Sequence, residues 1–183
     1  MSSCDLCAAP LANVHSHLVH VADGRLVCAC AACALLLGYG SGERYRVVPD
    51  RVRPLADARM TDAQWEALGV PVDLAFFHRS TPRGKPVAFY PSPLGATECL
   101  LPLDAWAELA AANPGLDTME PDVEALLVNR TRGRREAYIV PIDACYQLVG
   151  LVRLRWRGFT GGDVWEAVDR FFDELRSRGE VAA

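Results

Sequence analysis

Two pairs of closely spaced cysteines, Cys4-Asp5-Leu6-Cys7 and Cys30-Ala31-Ala32-Cys33, lie near the start of the sequence. Cysteines spaced in this way can bind one metal ion from a tight turn, and two pairs complete a tetrahedral shell of four sulfurs. We therefore predict a metal site formed by Cys4, Cys7, Cys30 and Cys33. Because four sulfurs leave no coordination position for a substrate or water, such a shell typically holds structural Zn²⁺.

Iron in the same shell is the alternative, and it would make the protein a rubredoxin-like redox or metal-transfer protein. The cysteine turns of rubredoxins usually carry glycine directly after the second cysteine of each pair. Alanine occupies both positions here, as Ala8 and Ala34. The sequence therefore favours zinc over iron.

The residues between the two pairs predict a β-hairpin. Residues 14–21 are rich in β-branched side chains, which favours a strand, and Gly24 supplies a turn before a returning strand at residues 26–29. The second cysteine pair then opens a predicted short helix over residues 31–37. A cysteine turn, a hairpin and a helix in this order are typical of a treble-clef zinc finger.

Three more potential ligands lie beside the predicted zinc site: Cys28, His15 and His17. Cys28 is a candidate to replace Cys30 as a ligand, to remain a free and redox-active thiol near the metal, or to fill space in the hairpin. His15 and His17 fall on one face of the predicted strand, whereas His20 falls on the other. Imidazole binds zinc and nickel, so there are three alternatives for these histidines. One of them replaces a ligand of the four-cysteine site, or they form a second, exchangeable site near it, or they are ordinary surface or hydrogen-bonded residues.

The glycine-rich segment at residues 39–43 predicts a joint between a zinc-finger-like metal module, residues 1–40, and a body domain, residues 41–183. Hydrophobic patterns predict an α+β body with a mostly antiparallel sheet and helices packed on one of its faces. Thr61 and Asp143 are the predicted N-caps of two helices. The predicted strands cover residues 45–49, 73–79, 86–91, 98–102, 124–130 and 136–141, and the predicted helices cover residues 61–68, 104–113, 143–156 and 163–178.

Two adjacent aromatic residues, Phe76 and Phe77, occur in one of these predicted strands. Neighbouring residues of a strand point to opposite faces, so both cannot enter the same core. One side chain must point into the core, and the other toward a second packing layer or an interface.

Composition argues against several classes of protein. The 183 residues carry a formal net charge of −4, so we do not expect nucleic acid as a partner, because neutralising phosphates requires a basic surface. We expect no signal segment and no membrane span, since no apolar run approaches the roughly 20 residues of a transmembrane helix. The seven cysteines fall mainly in ligand-like pairs, which favours a reducing, cytoplasmic setting.

Motifs for catalysis are not recognisable in the sequence. It contains no nucleophile elbow, phosphate-binding glycine loop or dinucleotide fingerprint, so we assign no catalytic or cofactor-binding residues. An enzyme would require an unrecognised site, such as a deep pocket of the body in which His78 meets an Asp or Glu.

A resemblance to known sequences covers almost the whole chain and is carried by residues 4–10, 15–18, 26–36, 75–77, 88–93, 95–98, 120–130 and 156–158. These segments are similar to an uncharacterised bacterial, mainly actinobacterial family. Genes of this family are often found near those of nickel–iron hydrogenases. The resemblance implies a setting in hydrogenase assembly or maturation, with a hydrogenase subunit or assembly factor as partner, and it supplies no catalytic residues.

Three functional hypotheses follow from these features. The first is a non-enzymatic, zinc-binding accessory protein that interacts with a protein partner and serves hydrogenase assembly. The second is a redox or metal-transfer protein that uses the same four cysteines. The third is an enzyme whose site in the body has no recognisable motif.

Overall fold

The computed structural model describes residues 2–39, 44–55, 58–156 and 162–181. Residues 40–43 of the predicted joint lie outside the described residues. An N-terminal cysteine cluster and a small sheet precede a six-stranded antiparallel sheet with helices packed on it, which confirms the predicted α+β fold class. Among the helices that the structure describes, none is long and apolar enough to cross a membrane.

The N-terminal part contains a three-stranded antiparallel sheet with the order β2-β1-β3. Strands β1 (Ser16–His20) and β2 (Arg25–Ala29) form the predicted hairpin, and β3 (Tyr45–Val47) pairs with the other edge of β1. Helix α1 (Ala31–Cys33) follows β2 and continues as a π-helical segment, Ala34–Gly38. Because β3 lies beyond residue 40, the small sheet extends past the predicted boundary between the two domains. The division into two domains stays a prediction.

The sheet of the body has the order β4-β9-β8-β5-β6-β7, and all neighbouring strands are antiparallel. The two predicted hairpins correspond to β5–β6 and β8–β9. The strands are β4 (Arg53–Pro54), β5 (Leu74–Ser80), β6 (Lys85–Ser92), β7 (Gly95–Cys99), β8 (Glu124–Asn129) and β9 (Glu136–Pro141). The helices are α2 (Asp62–Ala67), α3 (Leu103–Ala112), α4 (Ile142–Arg155) and α5 (Gly162–Val181).

Helices cover both faces of this sheet, so the prediction of a single covered face is wrong. Helices α4 and α5 share one buried cluster with Phe76 and Leu127, and α2 and α3 share another with Phe77 and Leu126. Successive residues of a strand face opposite sides, and both sets are apolar here. Strand β8 is therefore buried along its whole length, and Phe76 and Phe77 enter two packing layers.

Buried contacts join the N-terminal sheet to the body. Val19 of β1 and Val48, directly after β3, belong to the same apolar cluster as α4 and α5. Arg46 Nη1 of β3 donates hydrogen bonds of 3.0 Å to Asp122 Oδ2 and to the carbonyl oxygen of Pro121. These contacts hold β1 beside the body, close to the start of α4.

The two predicted helix caps have different outcomes. Thr61 caps α2 in a full capping box with Gln64, as predicted. Asp143 does not cap α4, because the N-cap is Pro141, which makes no side-chain hydrogen bond. Instead, Asp143 lies in the first turn of α4, and its Oδ2 accepts a hydrogen bond from His17 Nδ1 at 2.7 Å. The cap prediction failed because α4 begins at Ile142, which places Asp143 inside the first helical turn.

Candidate metal centre

Cys4 and Cys7 lie on a tight turn that local hydrogen bonds close. The Cys4 N–H donates to the carbonyl oxygen of Ala9 at 2.8 Å, and the Ala8 N–H donates to that of Cys4 at 2.8 Å. Ala8 adopts a φ of 61°, a left-handed conformation that alanine rarely takes outside such turns. The turn presents both thiols to the second cysteine pair.

Cys30 and Cys33 lie where strand β2 passes into helix α1. Cys30 is the N-cap of α1, and its Sγ accepts a hydrogen bond from the Cys33 N–H at 3.5 Å. Asp5 ties the two cysteine pairs together: its N–H donates to the carbonyl oxygen of Cys28 at 2.9 Å, and its Oδ2 accepts from the Cys28 N–H at 2.7 Å. Hydrogen bonds to the backbone therefore set the distance between the pairs.

The four sulfurs of these pairs converge in the geometry of a metal site. The Sγ atoms of Cys4, Cys7, Cys30 and Cys33 all lie within 4.8 Å of one another, and the thiols are free. Cys7 Sγ and Cys30 Sγ are 3.7 Å apart. Zn–S bonds of about 2.3 Å at tetrahedral angles place two sulfurs about 3.8 Å apart, so this spacing fits a shared ion. Four cysteines are thus placed for a metal ion.

Hydrogen bonds within the cluster make the thiols unequal as acids. A backbone hydrogen bond from Cys30 is the main cause that lowers the pKa of Cys4 to about 6. The neighbouring Cys7 side chain, followed by burial, raises the pKa of Cys33 to about 12. Adjacent thiolates repel each other, so the cluster does not ionise fully by itself. A bound cation would favour all four thiolates, and its binding would release protons.

Cys28, His15 and His17 form a second group of potential ligands. One ligand atom from each residue lies within 4.8 Å of the other two. His17 and Cys28 are directly paired across the β1–β2 hairpin, and His15 lies two residues before His17, so the three side chains share one face of the hairpin. The structure therefore groups Cys28 with the histidines and Cys30 with the four-cysteine cluster.

Asp143 is a candidate site residue that the sequence alone did not reveal. Its hydrogen bond with His17 is the main cause that raises the pKa of His17. The Asp143 side chain is only 18% exposed, and the His17 side chain is only 23% exposed. Nothing in the spacing of the sequence connects positions 17 and 143, because only the packing of β1 against the start of α4 brings them together. Burial also raises the pKa of the Cys28 thiol, with the charge of Asp5 adding to the effect.

Two members of the second group, His15 and His17, border a cleft of about 790 Å³. His15, His17 and Asp143 line this cleft, together with Cys30 and Gln147. Its walls come from the N-terminal part of the chain, from residues 48–50, from the start of α4 and from Arg178 of α5, so it lies where the small sheet meets the helices of the larger sheet. Solvent or a small ligand can therefore approach the histidines from the cleft.

His78, the residue named for a possible enzyme site, lines a separate cleft of about 310 Å³. Burial lowers the pKa of His78, and its ring stacks on Phe89 with centroids 5.8 Å apart. Asp122 also lines this cleft, but its carboxylate accepts hydrogen bonds from Arg46 and from the Thr81 N–H. Within the described part of the chain, His78 makes no hydrogen bond to a carboxylate.

The fold and the cluster define an α+β protein with an N-terminal four-cysteine site placed for a metal ion. A family model matches residues 3–179, and the chain belongs to DUF5947, a family of unknown function. The match includes the cysteine cluster and nearly all of the body, and it confirms the resemblance to an uncharacterised family. No curated protein and no solved structure matches the chain.

Proposed function

We propose that this protein is a non-enzymatic accessory protein in which Cys4, Cys7, Cys30 and Cys33 bind one structural Zn²⁺. The observation that carries the proposal is the convergence of four free thiols at a spacing that suits a tetrahedral shell. The ion would hold the cysteine turn, the hairpin and α1 together. These elements share a small core of their own, formed by Leu18, Val27, Ala29, Ala34 and Tyr45, so a cross-link would add substantially to their stability.

The backbone around the two cysteine pairs supports zinc over iron. In rubredoxin-like sites both pairs lie on similar turns. Here only the first pair does, because Ala8 after Cys7 has a φ of 61°, whereas Ala34 after Cys33 has a helical φ of −61°. A cysteine turn facing a helix N-terminus is the arrangement of a treble-clef zinc finger, and the helix end favours the thiolate form.

The proposed partner is another protein, and the proposed setting is the cytoplasm. Leu35, Leu36 and Tyr39, on and directly after the π-helical segment, are 65%, 75% and 71% exposed. Neighbouring apolar side chains exposed in this way typically mark a surface for protein contact. The resemblance to a family often encoded near nickel–iron hydrogenase genes suggests a hydrogenase subunit or assembly factor as that partner.

Metal content and the visible spectrum of the purified protein test the zinc assignment. We expect one zinc per chain and no visible colour, because Zn²⁺ has a filled d shell. The double variant Cys4→Ser plus Cys30→Ser should lose the zinc, whereas Cys99→Ser, a thiol outside the cluster, should keep it. Visible absorption that bleaches on reduction would overturn zinc in favour of iron. Unchanged metal content in the double variant would overturn the ligand assignment.

Affinity capture from the native host tests the partner assignment. We expect the wild-type protein to recover a hydrogenase subunit or assembly factor, and Leu36→Glu to recover much less of it with unchanged zinc content. The matched control is Leu94→Glu, at a side chain that is 93% exposed between β6 and β7. Capture of no hydrogenase protein, or equal recovery by Leu36→Glu and wild type, would contradict this assignment.

A further inference from the structure

His15 and His17 each use Nδ1 for a hydrogen bond, which leaves Nε2 of each ring available to bind a metal. His15 Nδ1 donates to the carbonyl oxygen of Ala12 at 3.0 Å, and His17 Nδ1 donates to Asp143 Oδ2 at 2.7 Å. A neutral ring that donates through Nδ1 carries its lone pair on Nε2. Metal-binding histidines typically make this kind of outer contact, to a carbonyl or a carboxylate, through the nitrogen that does not bind the metal.

The Nε2 atom of His15 lacks a partner although it is buried. Among the described residues, no hydrogen-bond partner reaches it. Buried polar atoms are nearly always paired, so the free lone pair of His15 Nε2 is available for a further partner such as a metal ion. The other ligands of a shared ion would be His17 and Cys28. One ligand atom of each of the three residues lies within 4.8 Å of the other two.

We propose that His15 Nε2, His17 Nε2 and Cys28 Sγ form a second metal site, which holds an exchangeable divalent first-row transition-metal ion such as Zn²⁺, Ni²⁺ or Co²⁺. Two imidazoles and one thiolate select these ions over Mg²⁺ and Ca²⁺, which prefer oxygen ligands. Cys28 binds as the thiolate, and its proton is released to solvent when the metal enters.

The number of ligands distinguishes this site from the four-cysteine cluster. Three protein ligands leave one coordination position, and His15 and His17 line the cleft of about 790 Å³. An open coordination position suits a site that receives or hands over metal. The proposal does not depend on which metal the four cysteines hold.

Asp143 acts as a positioning residue for this site. Its carboxylate fixes the orientation of the His17 ring and holds the proton on Nδ1, which leaves the lone pair of Nε2 for the metal. Loss of such an outer carboxylate typically weakens metal binding about 10–100-fold. We therefore expect Asp143→Asn to raise the dissociation constant of the second metal by this factor, without any change at the four cysteines.

Titration of the zinc-loaded protein with Co²⁺ tests the second site. We expect one additional metal ion per chain by native mass spectrometry, with a thiolate-to-cobalt charge-transfer band. The double variant His15→Ala plus His17→Ala should lose the additional ion, and Cys28→Ser should lose the charge-transfer band. The matched control is His20→Ala, on the same strand, because His20 Nδ1 lies 2.7 Å from Asp23 Oδ1, outside the site.

The outcomes of this titration separate the second site from the proposed function. Zinc content and circular dichroism of each variant report whether the fold and the four-cysteine cluster are intact. Absence of an additional Co²⁺ ion in the wild type would overturn the second site even if the cluster holds zinc. Binding that survives in the double histidine variant would overturn it as well. Cys28→Ser and Asp143→Asn test it with both histidines in place.

Discussion

Glu124 is a buried carboxylate whose two oxygens are both hydrogen bonded. Oε1 accepts from Arg51 Nε at 2.8 Å, and Oε2 accepts from Arg53 Nη2 at 2.9 Å and from the Glu120 N–H at 2.8 Å. Burial alone would raise the pKa of Glu124, but these hydrogen bonds and the two positive charges lower it below its usual value. The ionised carboxylate is therefore part of the folded state.

Replacing Glu124 with glutamine is expected to destabilise the protein by about 1.5–3 kcal/mol at neutral pH. The charged hydrogen bonds are lost, and the new amide group directs N–H donors at groups that are themselves donors. Urea denaturation measures the change in the free energy of unfolding. Glu120→Gln, which also loses an ion pair with Arg51 but at a side chain 53% exposed, should cost less than about 1 kcal/mol. Equal losses for the two variants would contradict the prediction.

The same carboxylate predicts a pH dependence of stability. Because the folded-state pKa of Glu124 lies below the unfolded value of about 4.3, its contribution is complete above that value. The contribution is lost as the pH falls through the folded-state pKa. The stability difference between wild type and Glu124→Gln should therefore shrink as the pH is lowered from about 6 to about 3. A difference that stays constant over this range would show that the charge is not responsible.

At the scale of single elements, the register of the β1–β2 hairpin decides which ligands meet. His17 is paired with Cys28 in this register, so both side chains point to the face that His15 also shares. A slip of one residue would turn His17 away from Cys28, because neighbouring residues of a strand face opposite sides. The turn at Gly24, where φ is 70°, helps to hold this register.

The π-helical segment after the cysteines packs closely on the small sheet. A Cβ atom at Gly38 would overlap Cγ2 of Val47 in β3 and would lie 3.1 Å from Leu18 Cδ2. Gly38→Ala should therefore destabilise the protein by about 1–3 kcal/mol through overpacking, measured by thermal or urea denaturation.

Gly150 provides the matched control for this substitution. It lies inside α4, and a Cβ atom there would meet nothing within 4 Å. Gly150→Ala should stabilise the protein by about 0.5–1 kcal/mol, because alanine loses less conformational freedom in a helix. A neutral or stabilising effect of Gly38→Ala would show that close packing is not the reason why glycine occupies position 38.

At the scale of the whole molecule, two kinds of core hold the chain together. The body has an apolar cluster on each face of its six-stranded sheet, and both form without the four clustered cysteines. The N-terminal part has a much smaller cluster of its own, although Val19 and Val48 also reach into the body. We therefore expect the N-terminal part to depend on the proposed zinc ion more strongly than the body does.

Removing the metal with a chelator tests this expectation. Amide hydrogens of β1 and β2 should exchange much faster without metal, because the cross-link between the cysteine pairs is gone, whereas those of β8 should stay protected. Hydrogen exchange followed by mass spectrometry resolves the two regions, and added Zn²⁺ should restore protection. Unchanged exchange in β1 and β2, or loss of protection in β8, would contradict the expectation.

Local sequence determined several features of this protein. The spacing of the four cysteines predicts their convergence, because each pair is formed by a turn of a few residues and the hairpin between them folds back on itself. The capping box at Thr61 and the hairpins of the body were predictable for the same reason. In each case the interacting groups lie within a short stretch of chain, so that residue types and periodicity carry the information.

Only the tertiary structure decided the features that depend on distant contacts. Asp143 reaches His17, 126 positions away in sequence, because β1 packs beside the start of α4. Helices cover both faces of the sheet because Phe77 and Leu126 face one apolar layer while Phe76 and Leu127 face another. The four-cysteine cluster follows from local spacing, whereas Asp143 meets the second group of potential ligands only where the N-terminal sheet packs against α4.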